Sequence, residues 1–294
     1  MRAEEIALTG ESDVTEHELV AHWHLPRFSL ERDAWLVVDP ADHTVGVAWT
    51  WDERPHVELV AGVNVNPGEA RRAAVSAHLL ARIEARAQEH RAAAGGARVV
   101  LGVAVEEVDR AKRDLLAGRG FAEMRRFYRM RIDLRRGYAR PAWPAGVEAR
   151  GFRRGCDEGP VHEALDEAFA EHFRYAPMAL DDWERHCFAR ADLDTGLWLV
   201  AWDGAEVAGT CLAFVTPDRG YVDELGVRKP WRRRGLGLAL LLESFARLEA
   251  RGQTEVVLGV DSENTTGALS LYLRAGMEVA QTRLFLEKEI LAAT

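Results

Sequence analysis

The sequence has almost no lysine and almost no cysteine. Lysine stands only at 112, 229 and 288, so arginine carries the rest of the positive charge. The three cysteines, Cys156, Cys187 and Cys211, form no C-x-x-C pair and no cysteine–histidine cluster. An odd, scattered set argues against a disulfide scaffold and offers no metal spacing, so reduced thiols and no metal are expected. No run of about eighteen apolar residues occurs, which leaves no candidate for a membrane-spanning helix. The opening "MRAEEIALTGESD" has neither a basic start nor an apolar core. No secretory leader is therefore expected, and the cytoplasm is the expected compartment. A broad basic face is missing too. The formal net charge is -9, which argues against nucleic acid and anionic membranes as partners.

What is present is ample apolar material. The 294 residues are 48% hydrophobic and 29% charged, enough for two buried cores. The chain also repeats itself. "ARIEARAQ" at 81–88 returns as "ARLEARGQ" at 246–253, "VVLGV" at 99–103 returns at 256–260, and "LLAGRGF" at 115–121 returns as "LYLRAGM" at 271–277. The three pairs keep their order, with "EHRAAAGG" as an insertion in the first copy. A period near 160 residues is too long for a solenoid and reads as two homologous domains. The Pro-, Gly- and Arg-rich stretch 137–146 reads as a linker between residues 1–136 and 147–294.

In the second copy, "EGPVHEALDEAFAEHF" has helical periodicity, "LWLVAWDG" and "EVAGTCLAFV" form a hairpin, and "GYVDELGV" is a third strand. A basic loop follows, then the helix "GLGLALLLESFARLEARG" closed by Gly252, the strand "EVVLGV", a short helix "TTGALSLYLRAG" and a last strand "RLFLEKEI". This is an α/β domain with a mixed sheet. The loop "VRKPWRRRGLGL" sits between a strand end and a helix start. Helix N-termini present unpaired N–H groups, and Gly235 and Gly237 allow a phosphate to approach them. Arg232, Arg233 and Arg234 add forked donors suited to phosphate. The spacing fits neither a nucleotide P-loop nor a dinucleotide fingerprint.

The loop and its surroundings resemble the acetyl-CoA signature of the GCN5-related N-acetyltransferase (GNAT) superfamily. Arg232, Gly235 and Gly237 match its R/Q-x-x-G-x-G/A, after the strand end Leu225-Gly226-Val227. "NTTGALSLYLRAGM" is similar to that superfamily's second segment. The duplicated plan is similar to its tandem members, mycothiol synthase among them. The resemblance implies two tandem GNAT-like domains, each a mixed, mostly antiparallel sheet flanked by helices. It implies acetyl-CoA as acyl donor, with the backbone from Arg233 through Gly235, Leu236 and Gly237 to Leu238 holding the pyrophosphate. The backbone of Leu225 and Val227 would pair with the pantetheine arm, and Asn264 would contact it, although the Asn264–Tyr272 interval is one residue longer than usual. Tyr272 would protonate the departing thiolate.

Acetyl transfer to an amine also needs a base. Asp223 and Glu224 are the candidates. Simple alternation puts Asp223 on the face of Leu225 and Val227, and Glu224 on the other unless a bulge shifts the phase. The segment "HEALDEAFAEHFRYAPMALDDWERH" reads as one helix over the acceptor side, with Glu167, Glu171, His172, Tyr175 and Trp183 as candidates for binding a small cationic amine. A non-catalytic acyl-CoA sensor is the alternative. The first copy has no G-x-G, and Leu116 stands where Tyr272 does, so it is expected to keep the fold without the chemistry.

Overall fold

Alternating apolar residues place strands where the chain has them, and 3.6-residue periodicity places the helices. The computed structural model describes residues 6–7, 27–54, 56–95, 97–188, 193–216 and 218–291. The reading of residues 1–13 as lacking a leader falls outside these, apart from 6 and 7. The first half supplies β1 (Ala34–Val38), β2 (Thr44–Arg54), β3 (Glu58–Val65), α1 (Arg72–Ala93), β4 (Val100–Glu106), α2 (Arg110–Gly118) and β5 (Ala122–Asp133). The second supplies β6 (Val147–Gly151), α3 (Glu158–Phe169), α4 (Leu180–Cys187), β7 (Leu199–Asp203), β8 (Glu206–Val215), β9 (Gly220–Val227), α5 (Leu236–Glu249), β10 (Glu255–Asp261), α6 (Ala268–Arg274) and β11 (Glu278–Glu289).

Two units emerge. One holds the residues up to Phe127 together with those from Gln281 onward; the other holds Tyr128–Ala280. In the first, strands run in the order β1-β2-β3-β4-β11. β3 and β4 are parallel, and the neighbouring pairs are antiparallel. Helix α1 buries Leu79, Leu80, Ile83 and Ala87 with Leu59, Ala61 and Val63 of β3. In the second, the order is β5-β10-β9-β8-β7-β6, with β9 and β10 parallel and β6 to β9 antiparallel. Leu236, Leu240, Phe245 and Leu248 of α5 close one face of that sheet. Val161 and Leu165 of α3, with Trp183 of α4, close the other over Val200, Val207 and Leu212. The two halves of the repeat thus occupy equivalent elements, each a mixed, mostly antiparallel sheet flanked by helices.

Two features differ from the sequence expectation, and a third follows it. The compact units do not follow the boundaries 1–136, 137–146 and 147–294. The last strand pairs with β4, from Arg283↔Glu106 to Glu289↔Val100, and belongs with the first unit. Residues Tyr128–Asp133 of β5 lie in the second, where β5 is next to β10. Alternation specifies which face of a strand is buried and not which strand edge it joins. Second, residues 162–186 are not one helix. Helix α3 stops at Phe169 and α4 starts at Leu180. Between them Pro177 removes a backbone donor and pushes Ala176 out of helical conformation. Third, α5 ends at Glu249, with Gly252 at φ 85° just beyond it, whereas α1 continues through His90 to Ala93. The first copy has Ala87 where the second has Gly252, so nothing stops the helix and "EHRAAA" extends it.

Gly102 in β4 lies under an aromatic ring of β11. A Cβ added there would fall 2.3 Å from Phe285 Cζ. Gly102→Ala is expected to destabilise the first unit by roughly 1–3 kcal/mol through overpacking, read as a lower denaturation midpoint in urea.

Candidate active site

One extra residue in β9 organises the site. Ala213 of β8 pairs with Val222 and Leu212 pairs with Glu224, so the register steps past Asp223. This is a β-bulge, which reverses the facing of every residue after it. Val222 lies on the α5 side, and beyond the bulge Leu225 and Val227 take over that side. Gly226 turns to α3, where a Cβ would meet Ala168 at 3.0 Å and Phe169 at 3.3 Å. Glu224, two residues earlier, shares that face. The expectation that Asp223 continues the face of Leu225 and Val227 fails because the bulge takes it out of the alternation and leaves it exposed.

Glu224 is the product of that geometry. Its Oε2 is buried and has no hydrogen-bond partner. Burial pushes its carboxyl up to about 8, with the charges of Asp223 and Asp166 adding to the effect. Tyr175 donates its hydroxyl to Asp166. Burial also raises the Cys187 thiol, followed by the charges of Glu224 and Asp223. Asp166 and Cys187 thus join the surroundings of Glu224 without having been singled out from the sequence. The signal for Asp166 was its place one turn beyond His162 on α3, with Nε2 4.0 Å from its Oδ2.

Beside the bulge the sheet opens. β9 and β10 pair only at Gly220↔Val256 and Tyr221↔Val257. Residues 222–227 therefore present a strand edge with no partner toward β10 among the described pairs, suited to an added extended chain. The Val227 carbonyl on this stretch already accepts from Arg232 Nε at 3.0 Å, which leaves Leu225 as the backbone point nearer the bulge.

The basic loop closes the opening at one end. Trp231 is buried and donates Nε1–H to Asp203 at 2.8 Å. Arg228 donates to Glu167 at 2.6 Å, and the Lys229 N–H reaches the same carboxylate at 3.2 Å. Arg232 donates to Glu171 at 2.9 Å and to the Ala168 carbonyl at 3.1 Å. The Arg232 guanidinium and the Lys229 ammonium hold Glu171 below the usual carboxylate range. Glu167 on α3 and Glu171 just beyond its end therefore clamp the loop in place rather than facing an acceptor. Arg233, at φ 62°, and Arg234 are exposed, and both remain available for a phosphate. Gly235 caps α5 at φ 86°, a left-handed conformation that favours glycine. The first intrahelical bond is Ala239 N–H to the Gly235 carbonyl, so the N–H groups of Leu236, Gly237 and Leu238 have no helical acceptor. Gly237 also has a packing task. A Cβ there would lie 2.8 Å from Leu271 Cδ1, so its small size lets α6 pack close.

That packing brings Tyr272, next to Leu271, into the core beside the loop. It is 7% exposed. Burial raises its phenol above the usual range, with the Cys211 thiol adding to it, and Cys211 lies opposite Leu225 in the sheet. A phenol shifted upward is protonated at neutral pH and can donate.

Residues 160–277 match the model of the Acetyltransferase (GNAT) family. A GCN5-related N-acetyltransferase from Sphaerobacter thermophilus, known from its crystal structure, is 32% identical at TM-score 0.83, covering 100% of this chain and 91% of that one. The chain belongs to the GNAT family. Mycothiol acetyltransferase from Thermobispora bispora is 34% identical over 173 residues, 55% of this chain and 57% of the relative. The one from Thermobifida fusca is 31% identical over 189 residues, 57% and 58%. The matches thus span little more than half the length of these curated relatives. A tandem GNAT protein from the clavulanic acid biosynthesis pathway, 18% identical, shares the fold at TM-score 0.74 over 100% and 94% of the two chains.

Within this GNAT site, the remaining sequence candidates divide. Asn264 uses its Oδ1 to accept from the Thr266 N–H at 2.9 Å and the Thr266 hydroxyl at 2.6 Å, bracing the turn before α6. His172 packs edge-on against Phe169 at 4.4 Å, and burial keeps its imidazole below the usual range, partly offset by Asp261 at the end of β10. Trp183 is buried among Phe188, Trp198 and His162, so it is a core residue and not a pocket wall. Among the described residues, the first unit does not repeat these arrangements. β3 and β2 pair without a shift from Gly46 to Asp52, and β3 and β4 stay paired at four positions. Lys112 Nζ donates to the Val63 carbonyl at 2.8 Å, at the position equivalent to Leu225. Leu116 is fully buried.

Two outcomes follow from the geometry. Arg232→Ala should cost roughly 2 kcal/mol by removing several hydrogen bonds at once, whereas Arg233→Ala and Arg234→Ala should stay within about 0.5 kcal/mol, all read by thermal denaturation. The raised Glu224 carboxyl means that the folded state binds a proton more tightly than the unfolded one. Its contribution to stability is full below the ordinary glutamate range and is lost as pH rises toward about 8. Glu224→Gln should therefore melt at a higher temperature than the parent at pH 9, with the gap closing near pH 4.

Proposed function

We propose that the second unit transfers an acetyl group from acetyl-CoA to the amine of a small molecule, by direct attack with both substrates bound. The observation that carries this reading is Glu224: a carboxyl whose Oε2 is buried without a partner, raised to about 8, on a bulge beside an unpaired strand edge. A pure acyl-CoA binder has no use for such a group.

The edge of β9 at Leu225 suits the pantetheine amides. The N–H groups of Leu236 to Leu238, the left-handed turn at Gly235, and Arg233 and Arg234 suit the pyrophosphate. In the reaction, the amine nitrogen bonds to the acetyl carbon and the carbon–sulfur bond breaks. Glu224 takes the amine proton, and Tyr272 supplies a proton to the departing thiolate. A carboxyl near 8 is half ionised at about pH 8, with a minor ionised fraction at neutral pH, and the approach of a cationic amine favours its charged form. The first unit is a scaffold in this reading. Its parallel pair stays joined longer, a lysine occupies the carbonyl equivalent to that of Leu225, and it lacks the acid. The mycothiol acetyltransferase relatives favour a small-molecule amine as acceptor. The three free cysteines suit the cytoplasm. Among the described residues no helix is long and apolar enough to cross a membrane.

Thiol release from acetyl-CoA over a panel of amines tests the activity. With the best acceptor, Glu224→Gln should lower kcat/KM by about 10²-fold or more, while Asp223→Asn changes it by less than about threefold. Tyr272→Phe should lower kcat with little change in acetyl-CoA affinity. Saturable CoA binding with no thiol release for any amine would overturn the proposal.

A further inference from the structure

The insertion that lengthens α1 carries His90 to a position no equivalent residue reaches in the second copy. There it meets Asp52, at the end of β2, and His56, in the turn before β3. The Nδ1 atoms of His56 and His90 lie 3.1 Å apart. The Asp52 Oδ2 lies 3.7 Å from His56 Nδ1 and 3.9 Å from His90 Nδ1. Asp52 is 3% exposed, and its Oδ2 is buried with no hydrogen-bond partner. His56 is held in the left-handed region at φ 59°, with its N–H donating to Asp52 Oδ1 at 2.8 Å. That bond keeps Oδ1 occupied and turns Oδ2 toward the two rings.

From this geometry we propose that Asp52, His56 and His90 form a binding site for one divalent transition-metal ion of the zinc class. The three donor atoms make a triangle with sides of 3.1, 3.7 and 3.9 Å. The point equidistant from its corners lies about 2.1 Å from each, the distance at which zinc binds imidazole nitrogen and carboxylate oxygen. Two imidazoles and one carboxylate suit zinc or cobalt, and they are poor ligands for calcium or magnesium. Arg27 is the charged neighbour that must yield. Its Nε is 3.5 Å from Asp52 Oδ2 and its side chain is 42% exposed, so it can swing aside once an ion supplies the countercharge. Arg27 also donates to the Asp52 backbone carbonyl at 3.0 Å. His56 is partly exposed, which lets water complete a fourth position. The ion would tie the β2–β3 turn to the end of α1, so the site is structural and lies apart from Glu224 and Tyr272 in the chain. Its ligands are separated by three and by thirty-three intervening residues, which is why no motif spacing announces it.

Cobalt is the probe. The full-length protein, stripped of metal and titrated with Co²⁺ at pH 7.5, should develop the visible absorption of a tetrahedral nitrogen–oxygen site, saturate at one equivalent, and lose it when Zn²⁺ is added. Zn²⁺ should also raise the melting temperature. His56→Ala, at a partly exposed turn, should fold, transfer acetyl groups at the parental rate, and lose both the cobalt spectrum and the thermal shift. Asp52→Asn and His90→Ala should lose the spectrum too. A parent protein with no saturable one-to-one spectrum would overturn the proposal, and so would a spectrum that survives in His56→Ala, since other histidines would then hold the ion.

Discussion

A single extra residue in β9, Asp223, is the constraint on which the site depends. Without the bulge at Asp223, residues 220, 222, 224 and 226 would share one face, and Glu224 would point into the α5 core beside Val222. With it, Glu224 moves to the α3 face, where Asp166 and the residues around Tyr175 and Cys187 surround it. The same local twist accompanies the parting of β9 from β10 after two paired positions. One backbone irregularity therefore supplies both the buried carboxyl and the open strand edge. Bulges next to active sites commonly serve to re-aim a side chain in this way.

The duplication shows the same scaffold put to two uses. In the second copy the loop before the helix is anchored by Arg228 and Arg232 on Glu167 and Glu171, which frees Arg233, Arg234 and the helix start. In the first copy Arg72 donates to Asp109 at 3.2 Å and Lys112 fills the strand carbonyl, so cations of the chain itself occupy the corresponding place. The first copy instead gains a longer helix, and with it the meeting of His90 with Asp52 and His56. In the proposed reading, loss of one kind of site and gain of the other trace to short local changes, no G-x-G in one place and an inserted "EHRAAAGG" in another.

Much of this was legible in the sequence because it is encoded locally. The repeat, the helix start at Gly235, the strand "GYVDELGV" and the short helix that carries Tyr272 follow from periodicity and backbone preference, and the role of Tyr272 came only from the family resemblance. What was not legible depends on distant partners. Glu167 and Glu171 looked like acceptor contacts because an acidic helix face does not say which arginines it meets. Trp183 looked like a pocket wall because an aromatic on a helix does not reveal its burial against Trp198. The exchange of β5 and β11 between units is invisible to alternation. The bulge could be allowed for but not located, since Val222-Asp223-Glu224 reads equally well as regular strand.

The central claim is that the fold itself raises the Glu224 carboxyl in the absence of any ligand. Carbon-13 NMR titration of the protein labelled at glutamate side-chain carboxyls, with Glu224→Gln used to assign the signal, measures this directly. The account predicts one resonance with a midpoint near 8, missing from the variant. A Glu224 midpoint in the ordinary glutamate range near 4.3 would contradict it.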